Sequence, residues 1–528
     1  MMFPMDRRKF LRHIAGAVAA APLSFGAKDT RPNIVLMMAD DMGFSDLGCY
    51  GSEIATPNID SLARNGLRFT QFYNMARCCP TRAALMTGLY PHEAGIGHMV
   101  DNHPGYPSYQ GFLNDRCVTI AEVMKSAGYH TAMAGKWHVG ENRPHWPTDR
   151  GFEKYFGLIS GSSSYFQLDE GKKMATDDQP FTPPAKGFYM TDAFTDKAVE
   201  FVDKFGRADE PFFLYLAFTS PHWPLHARPE EIAKYRGKYK EGWDKLRERR
   251  LRNMVEMGLV KKSWGLSPRD ESAPSWDDEK NKDERDLGMS VYAGQIDRMD
   301  QNVGRVIAKL KELGVFENTL ILFLADNGGC AEEIHRGKEG AQTGSEESYE
   351  SYGLPWANAS NTPFRTFKHW VHEGGISTPL IAHWPKGIAA RGKLAHDPGH
   401  LVDVMATCVE LGKAKYPTEF SSKAIQPMDG ESLVPVFKTG KRAERKPIFW
   451  EHEGNRAVRQ GKWKIVAKFR RGWELYDIEA DRNELTDLAA KQPDRVKKMV
   501  ALYDEWALRA GVVSYEKLLP PNSKKGKA

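Results

Sequence analysis

Asn33-Ile34-Val35-Leu36-Met37-Met38-Ala39 is an almost unbroken apolar run of strand length, and it stops abruptly at Asp40-Asp41. A strand with one face in water alternates apolar and polar residues. A continuous run predicts burial on both faces, hence a parallel or mixed sheet covered by helices. Outward from this run the same pattern repeats. Residues 57–65 read as a helix with Thr56 or Asn58 near its start, and residues 82–86 begin another after Pro80. Strand-like runs at 131–134, 212–218 and 320–325 follow helical stretches at 119–127, 192–205 and 293–313, and residues 378–384 form a further run. Strands alternating with helices predict an α/β domain, expected over residues 31–440.

A chain of 528 residues exceeds one simple core and predicts a large domain with a smaller one beside it. From 446 to 512 the texture changes: short strand-like pieces at 448–451, 455–460, 463–469 and 473–477 are joined by glycine turns at Gly454, Gly461 and Gly472. An amphipathic helix at 494–510 follows, which predicts a small antiparallel sheet with a packing helix. Residues 513–528, ending in a lysine-rich stretch, read as a tail. Residues 235–285 are charged and short of apolar runs, and read as an inserted helical excursion forming a solvated connection. At the other end, Asp6-Arg7-Arg8-Lys9-Phe10-Leu11 followed by apolar residues 14–21 resembles a twin-arginine export signal over 1–27. The apolar stretch is short for a membrane span, so the expected location is periplasmic or secreted.

Charge excludes some function classes. A net +5 with no basic run interleaved with aromatics is not a nucleic-acid signature. It is compatible with a few cations converging on an anionic substrate. Six cysteines without a paired C-x-x-C exclude a disulfide scaffold and a zinc-finger site.

Two carboxylates at a strand's carboxyl end, Asp40 and Asp41, form a hard-oxygen site suited to a divalent cation, or a turn or helix cap. A second apolar run ends in Asp326-Asn327-Gly328-Gly329, which again places oxygen donors at a strand terminus. No G-K-[ST] occurs, so a phosphate-cradling loop is missing. Cys78-Cys79-Pro80-Thr81-Arg82 continues as Ala83-Ala84-Leu85-Met86-Thr87-Gly88. This stretch resembles the C-x-P-[ST]-R-x-x-x-x-T-G signature of the type I sulfatases, formylglycine-dependent enzymes with an alkaline-phosphatase-like fold.

The resemblance extends over most of the chain beyond the leader. It implies that Cys78 becomes Cα-formylglycine, made by a maturation enzyme, with Cys79 at the variable position. A hydrated aldehyde offers two hydroxyls on one carbon: one attacks sulfur and expels the alcohol, the other loses its proton and expels sulfate. Metal ligands map to Asp40, Asp41, Asp326 and Asn327, with Cys78 facing the metal, and Arg82 holds the formylglycine side chain. Gly135-Lys136-Trp137-His138-Val139-Gly140 resembles the family's G-K-x-H-x-G segment, with Lys136 on sulfate and His138 on a formylglycine hydroxyl. Ser220-Pro221-His222-Trp223-Pro224-Leu225-His226 resembles its P-H-x-P-x-H turn, with His222 binding sulfate and donating a proton to the leaving oxygen. A second sulfate-binding lysine maps to Lys368, with Arg365 as competitor. All-oxygen ligands favour one calcium ion per chain, with magnesium as rival.

The resemblance thus implies hydrolysis of an aryl or carbohydrate sulfate ester. The alternatives are a phosphonate monoester or phosphodiester hydrolase of the same superfamily, and a sugar-binding or scaffold protein without activity. Residues 95–113, carrying His98, Tyr106, Tyr109 and Phe112, form a candidate specificity wall or a loop pinned by its own aromatics.

Overall fold

The first strand, Asn33–Ala39, sits at the centre of a ten-stranded mixed sheet. The computed structural model describes residues 29–101 and 104–519; the expected export signal and the lysine-rich end lie outside them. Across the sheet the order is Lys393–Ala395, Leu67–Phe69, Leu380–His383, Thr319–Ala325, Asn33–Ala39, Phe212–Ala217, His130–Gly135, Lys154–Leu158, Met174–Thr176 and Gln179–Phe181. The strands from Thr319–Ala325 to Lys154–Leu158 run parallel, and the strands that flank this block pair with it antiparallel.

The continuous apolar run is explained by two cores. Ile34, Leu36 and Met38 point into one, and Val35, Met37 and Ala39 into the other. A period of two therefore splits an uninterrupted sequence between two covered faces. Helices Cys78–Thr87, Ile120–Ser126 and Asp403–Gly412 contribute to the first core, and helices Pro57–Arg64, Met190–Phe205 and Lys282–Glu312 to the second.

Strands Ile448–His452, Asn455–Gln460, Trp463–Ala467 and Glu474–Asp477 form an antiparallel meander, against which helix Pro493–Ala510 buries Met499, Tyr503 and Trp506. Trp450, Ile465 and Leu475 of this sheet belong to the same apolar cluster as Ile34 and Leu36. The small sheet thus shares a core with the large one. Residues 513–519, read as part of a tail, are held against the fold: Val513 N–H donates to the Tyr109 hydroxyl at 3.2 Å, and helix Tyr515–Leu518 buries Leu518.

The stretch 235–285 is a correction to expectation, because it is not a solvated connection. Helix Gly242–Glu256 buries Trp243 and Arg250, and Trp243 packs edge-on against Trp276 and Trp356. The Arg250 guanidinium reaches Asp46 at 2.7 Å and Glu53 at 2.9 Å. A buried charge is tolerated when it is paired and hydrogen-bonded, and composition alone does not reveal such pairing. Asp46 also accepts from Tyr292 at 2.7 Å and from Gly43 N–H at 2.9 Å, so this segment braces the turn that follows Asp40-Asp41.

Candidate active site

Four adjacent parallel strands deliver the candidate residues to one edge of the sheet. Asp326 and Asn327 follow Thr319–Ala325, Asp40 and Asp41 follow Asn33–Ala39, and Lys136 and His138 follow His130–Gly135. His222 comes a short turn after Phe212–Ala217. The register pairs Ala39 with Ala325, Met38 with Ala217 and Gly135 with Ala217, so the four ends are level. Asp326 N–H donates to Ala39 O at 3.1 Å, Asp40 N–H to Ser220 O at 3.0 Å, and Lys136 N–H to Ala217 O at 2.8 Å.

The buried helix Cys78–Thr87 points its N-terminus at this edge. The Thr81 hydroxyl accepts from Met75 N–H at 2.9 Å and donates to Asp326 O at 2.7 Å, which locks the helix start onto the strand end. Gly88 ends the helix at φ 71, a left-handed cap that glycine adopts without steric cost. The motif's threonine at 81 and glycine at 88 are therefore structural. Arg82 is fully buried and donates to Asp326 Oδ2 at 3.0 Å and to Lys136 O at 3.1 Å.

Opposite charges interleave in the floor. Lys136 Nζ lies 2.5 Å from Asp40 Oδ2, Lys368 Nζ 2.8 Å from Asp41 Oδ2, and His222 Nε2 3.3 Å from Asp41 Oδ2. Burial opposes the charge on Asp40, but Lys136, His222 and Arg82 hold its carboxyl below the usual range. Asp326 goes the other way: burial and then the Asp40 charge push it up, against Arg82. For Lys368, burial is outweighed by Asp41, which holds the ammonium well above its ordinary value. A hydrogen bond from Cys79 lowers the Cys78 thiol, and Lys136 and His138 add to this against burial. Burial keeps His138 below its usual value, and its ring lies 3.4 Å from Cys79 Sγ through Nε2.

The donor set fits a hard divalent cation. Asp40 Oδ1 and Asn327 Oδ1 are buried and lack hydrogen-bond partners, and they belong to residues that converge with Asp41 and Asp326. A second group, His369, His452 and Glu453, brings possible ligand atoms together elsewhere. His369 Nε2 faces the Asn455 amide N–H at 3.2 Å and His98 Nδ1 accepts from Met99 N–H at 2.7 Å, which turns their N–H groups toward Glu453. That group is a half-buried cluster of imidazoles around the Glu453 carboxylate.

A cleft of about 1010 Å³ opens over the floor, reached by Cys78, His138, His222 and Lys368. Tyr106, Tyr109 and Phe112 line it, and Phe112 stacks on His145 with ring centroids 3.9 Å apart. His98 turns away to Glu453 at 3.2 Å.

Every residue expected at the site converges there: Asp40, Asp41, Cys78, Arg82, Lys136, His138, His222, Asp326, Asn327 and Lys368. Two weaker candidates do not. His226 is fully buried between Ser164 and the Ser348 carbonyl, 3.3 and 2.6 Å away. Arg365 points to Glu474 at 2.6 Å, in the small sheet. Two cleft residues carry no mark in the sequence. Glu332 bonds Arg77 at 2.8 Å and the Trp223 indole at 2.7 Å. Gly161 lies so close that a Cβ there would sit 2.4 Å from the His138 ring.

The family models and the sequence relatives agree on one family. The family model "Sulfatase" matches residues 32–414, and "N-sulphoglucosamine sulphohydrolase, C-terminal" matches 364–504. An uncharacterised sulfatase of Schizosaccharomyces pombe is 34% identical, over 92% of this chain and 95% of its own. An arylsulfatase of Klebsiella aerogenes is 32% identical, over 79% of this chain and 95% of its own. Among solved structures, Ps i-CgsB in complex with k-i-k-neocarrahexaose aligns with a TM-score of 0.68 at 27% identity, covering 90% of this chain and 93% of that one.

Proposed function

The chain belongs to the sulfatase family, and from that premise we propose that it hydrolyses a sulfate monoester with Cys78, converted to formylglycine, as nucleophile and calcium as its cation. The observation that carries this reading is the position of Cys78. It stands at a helix N-terminus, with a lowered thiol pKa, among Lys136, His138 and the carboxylates of two strand ends. An active-site base or acid of this kind works only if the geometry is set first.

Formylglycine supplies, when hydrated, a geminal pair of hydroxyls, one to bond sulfur and one whose deprotonation expels sulfate. Asp40, Asp41, Asp326 and Asn327, with the side chain at 78, would hold one calcium ion, magnesium being the rival. When bound, such an ion would acidify the nucleophile and draw charge from the sulfate oxygens. Lys136, Lys368 and His222 bind the sulfate, so that two ammonium groups and an imidazole face the anionic transition state. Arg82 fixes the nucleophile's surroundings through Asp326 and the Lys136 carbonyl. The Nδ1–H of His222 donates to Trp223 O at 2.6 Å, which leaves Nε2 to give a proton to the departing alcohol oxygen. His138, kept neutral by burial, accepts a proton from the second hydroxyl.

The alcohol half is aryl or carbohydrate. A cleft of about 1010 Å³ favours a carbohydrate, since ligand pockets span roughly 300–1,000 Å³ and a phenyl sulfate fills a small part of one. The oligosaccharide bound by the Ps i-CgsB neighbour supports the same class. Among the described residues no helix is long and apolar enough to cross a membrane. Export by the twin-arginine route to the periplasm or medium, with conversion of Cys78 by a maturation enzyme, completes the reading.

The test pairs mass spectrometry of the peptide holding Cys78 with kinetics on 4-nitrophenyl sulfate and bis-4-nitrophenyl phosphate. Conversion of Cys78 and a preference for the sulfate are expected. An active protein with an unmodified Cys78 overturns the nucleophile, and a preference for the phosphodiester overturns the reaction class.

A further inference from the structure

Three residues of the cleft wall have no part in the chemistry described above, yet they are built with care. Glu332 sits six residues past Asp326, with its carboxylate half-exposed at the cleft. Its Oε1 accepts from Arg77 at 2.8 Å and its Oε2 from the Trp223 indole N–H at 2.7 Å. Burial would neutralise this carboxyl, but Lys368, Arg77 and His222 keep it well below the usual carboxylate range. It stays charged beside the sulfate-binding floor.

The position of each partner matters. Arg77 immediately precedes Cys78 and occupies the N-cap of its helix, which sets its side chain beside the nucleophile. Trp223 immediately follows His222, whose ring lies 4.6 Å from the indole centroid. The indole is partly open to the cleft, and its N–H is spent on Glu332. Its plane is therefore fixed beside the proposed proton donor. An alcohol that takes its proton from His222 would lie in the cleft that this face lines.

Chemistry narrows what that group is. An indole face offers an apolar platform, whereas a carboxylate locked to a guanidinium offers acceptors and donors in one plane. A phenol would use the platform and make no contact with the polar pair at the cleft. A sugar uses both: a C–H face on the indole, and neighbouring hydroxyls on the pair. A site built to bond hydroxyls discriminates strongly against analogues lacking them, because its polar groups are then left unpaired. The negative charge of Glu332 also disfavours a second sulfate or a carboxylate at that point.

Resting on the sulfatase reading, we propose that Arg77, Glu332 and Trp223 form the subsite for the alcohol half of the ester. The subsite selects a neutral sugar ring with adjacent hydroxyls over a phenol. Glu332 and Arg77 read the hydroxyls, and Trp223 carries the ring.

The experiment compares wild type with Glu332→Gln and Trp223→Phe, using 4-nitrophenyl sulfate and a panel of monosulfated galactose, glucosamine and N-acetylgalactosamine. Sulfate release is followed by ion chromatography. Wild type is expected to prefer at least one sugar sulfate. In Glu332→Gln the ratio of kcat/KM for that sugar to kcat/KM for the aryl ester should fall at least tenfold, with the loss in KM. Trp223→Phe keeps a ring but frees Glu332, and should lower the ratio by less. An unchanged ratio in Glu332→Gln overturns the proposal, even if both activities fall, because Glu332 would then serve only to position His222 through Trp223. Wild type that cleaves the aryl ester but no sugar sulfate also overturns it. Wild type that cleaves neither defeats the sulfatase reading itself.

Discussion

Gly161→Ala isolates the role of His138 with a single methyl group. The backbone at Gly161 is not left-handed, so alanine is conformationally acceptable there, and the nearest conflict is with the imidazole. The new Cβ would lie 2.4 Å from His138 Cε1 and Nε2. An ordinary carbon contact is about 3.5 Å, so the ring must retreat by roughly 1 Å. It has little room: His138 N–H is tied to Ile159 O at 3.1 Å, and Cys79 Sγ backs the ring at 3.4 Å. A misplacement of about 1 Å at a reacting centre costs on the order of 10²-fold, or about 2.7 kcal/mol of barrier. We expect kcat/KM on 4-nitrophenyl sulfate to drop by that order, mostly in kcat, while Cys78 conversion stays complete by mass spectrometry. The thermal midpoint should fall modestly, as for a mild overpacking of about 1–3 kcal/mol. Wild-type kcat/KM in a fully converted Gly161→Ala protein would refute the assignment of His138 to the reaction.

Other predictions follow from the same geometry. Cys78→Ala should abolish turnover and Cys79→Ala should keep most of it, since Cys79 stands at the motif's variable position and packs on His138 and Met99; the reverse result in a steady-state assay sinks the nucleophile. Asp326→Ala should lose bound metal and activity together, read by elemental analysis beside the assay, and stoichiometric zinc or full activity without metal would contradict the oxygen site. His226 is held neutral by burial, with its pKa pushed down to about 4 from 6.5. The unfolded chain then binds more protons below pH 6.5, so this residue alone should remove about 2 kcal/mol between pH 7 and pH 5. His400, pushed down to about 3, adds in the same direction; denaturant midpoints that stay level over this range would contradict both. Replacing Arg7 and Arg8 by lysine should retain the protein in the cytoplasm, and an undiminished periplasmic yield on immunoblots would exclude the twin-arginine route.

The sequence alone determined the parts that depend on local pattern. Asn33 to Ala39 announced a strand buried on both faces, because an unbroken apolar run is stable only there. Asp40-Asp41 and Asp326-Asn327 could be placed at strand ends because each follows such a run, and Pro80 marked a helix whose start was read at Arg82, where the structure begins it at Cys78 and caps it at Gly88. Lys136, His138, His222 and Lys368 were legible only because their short segments resemble known ones; spacing gave no reason for them to meet. What brought them together is the strand order, which sets the carboxyl ends of four parallel neighbours level, and no single strand encodes its neighbours. The tertiary structure likewise decided what burial does to polar residues. Arg365 and Lys368 are three apart in the chain, yet one pairs with Glu474 and the other with Asp41. The charged stretch around Arg250 reads as solvated until Asp46 and Glu53 come to meet it from residues far away. Glu332 and Gly161 had no local signature for the same reason: their meaning is a contact, with Trp223 and Arg77 in one case and with the His138 ring in the other, and a contact between distant segments exists only after the chain has folded.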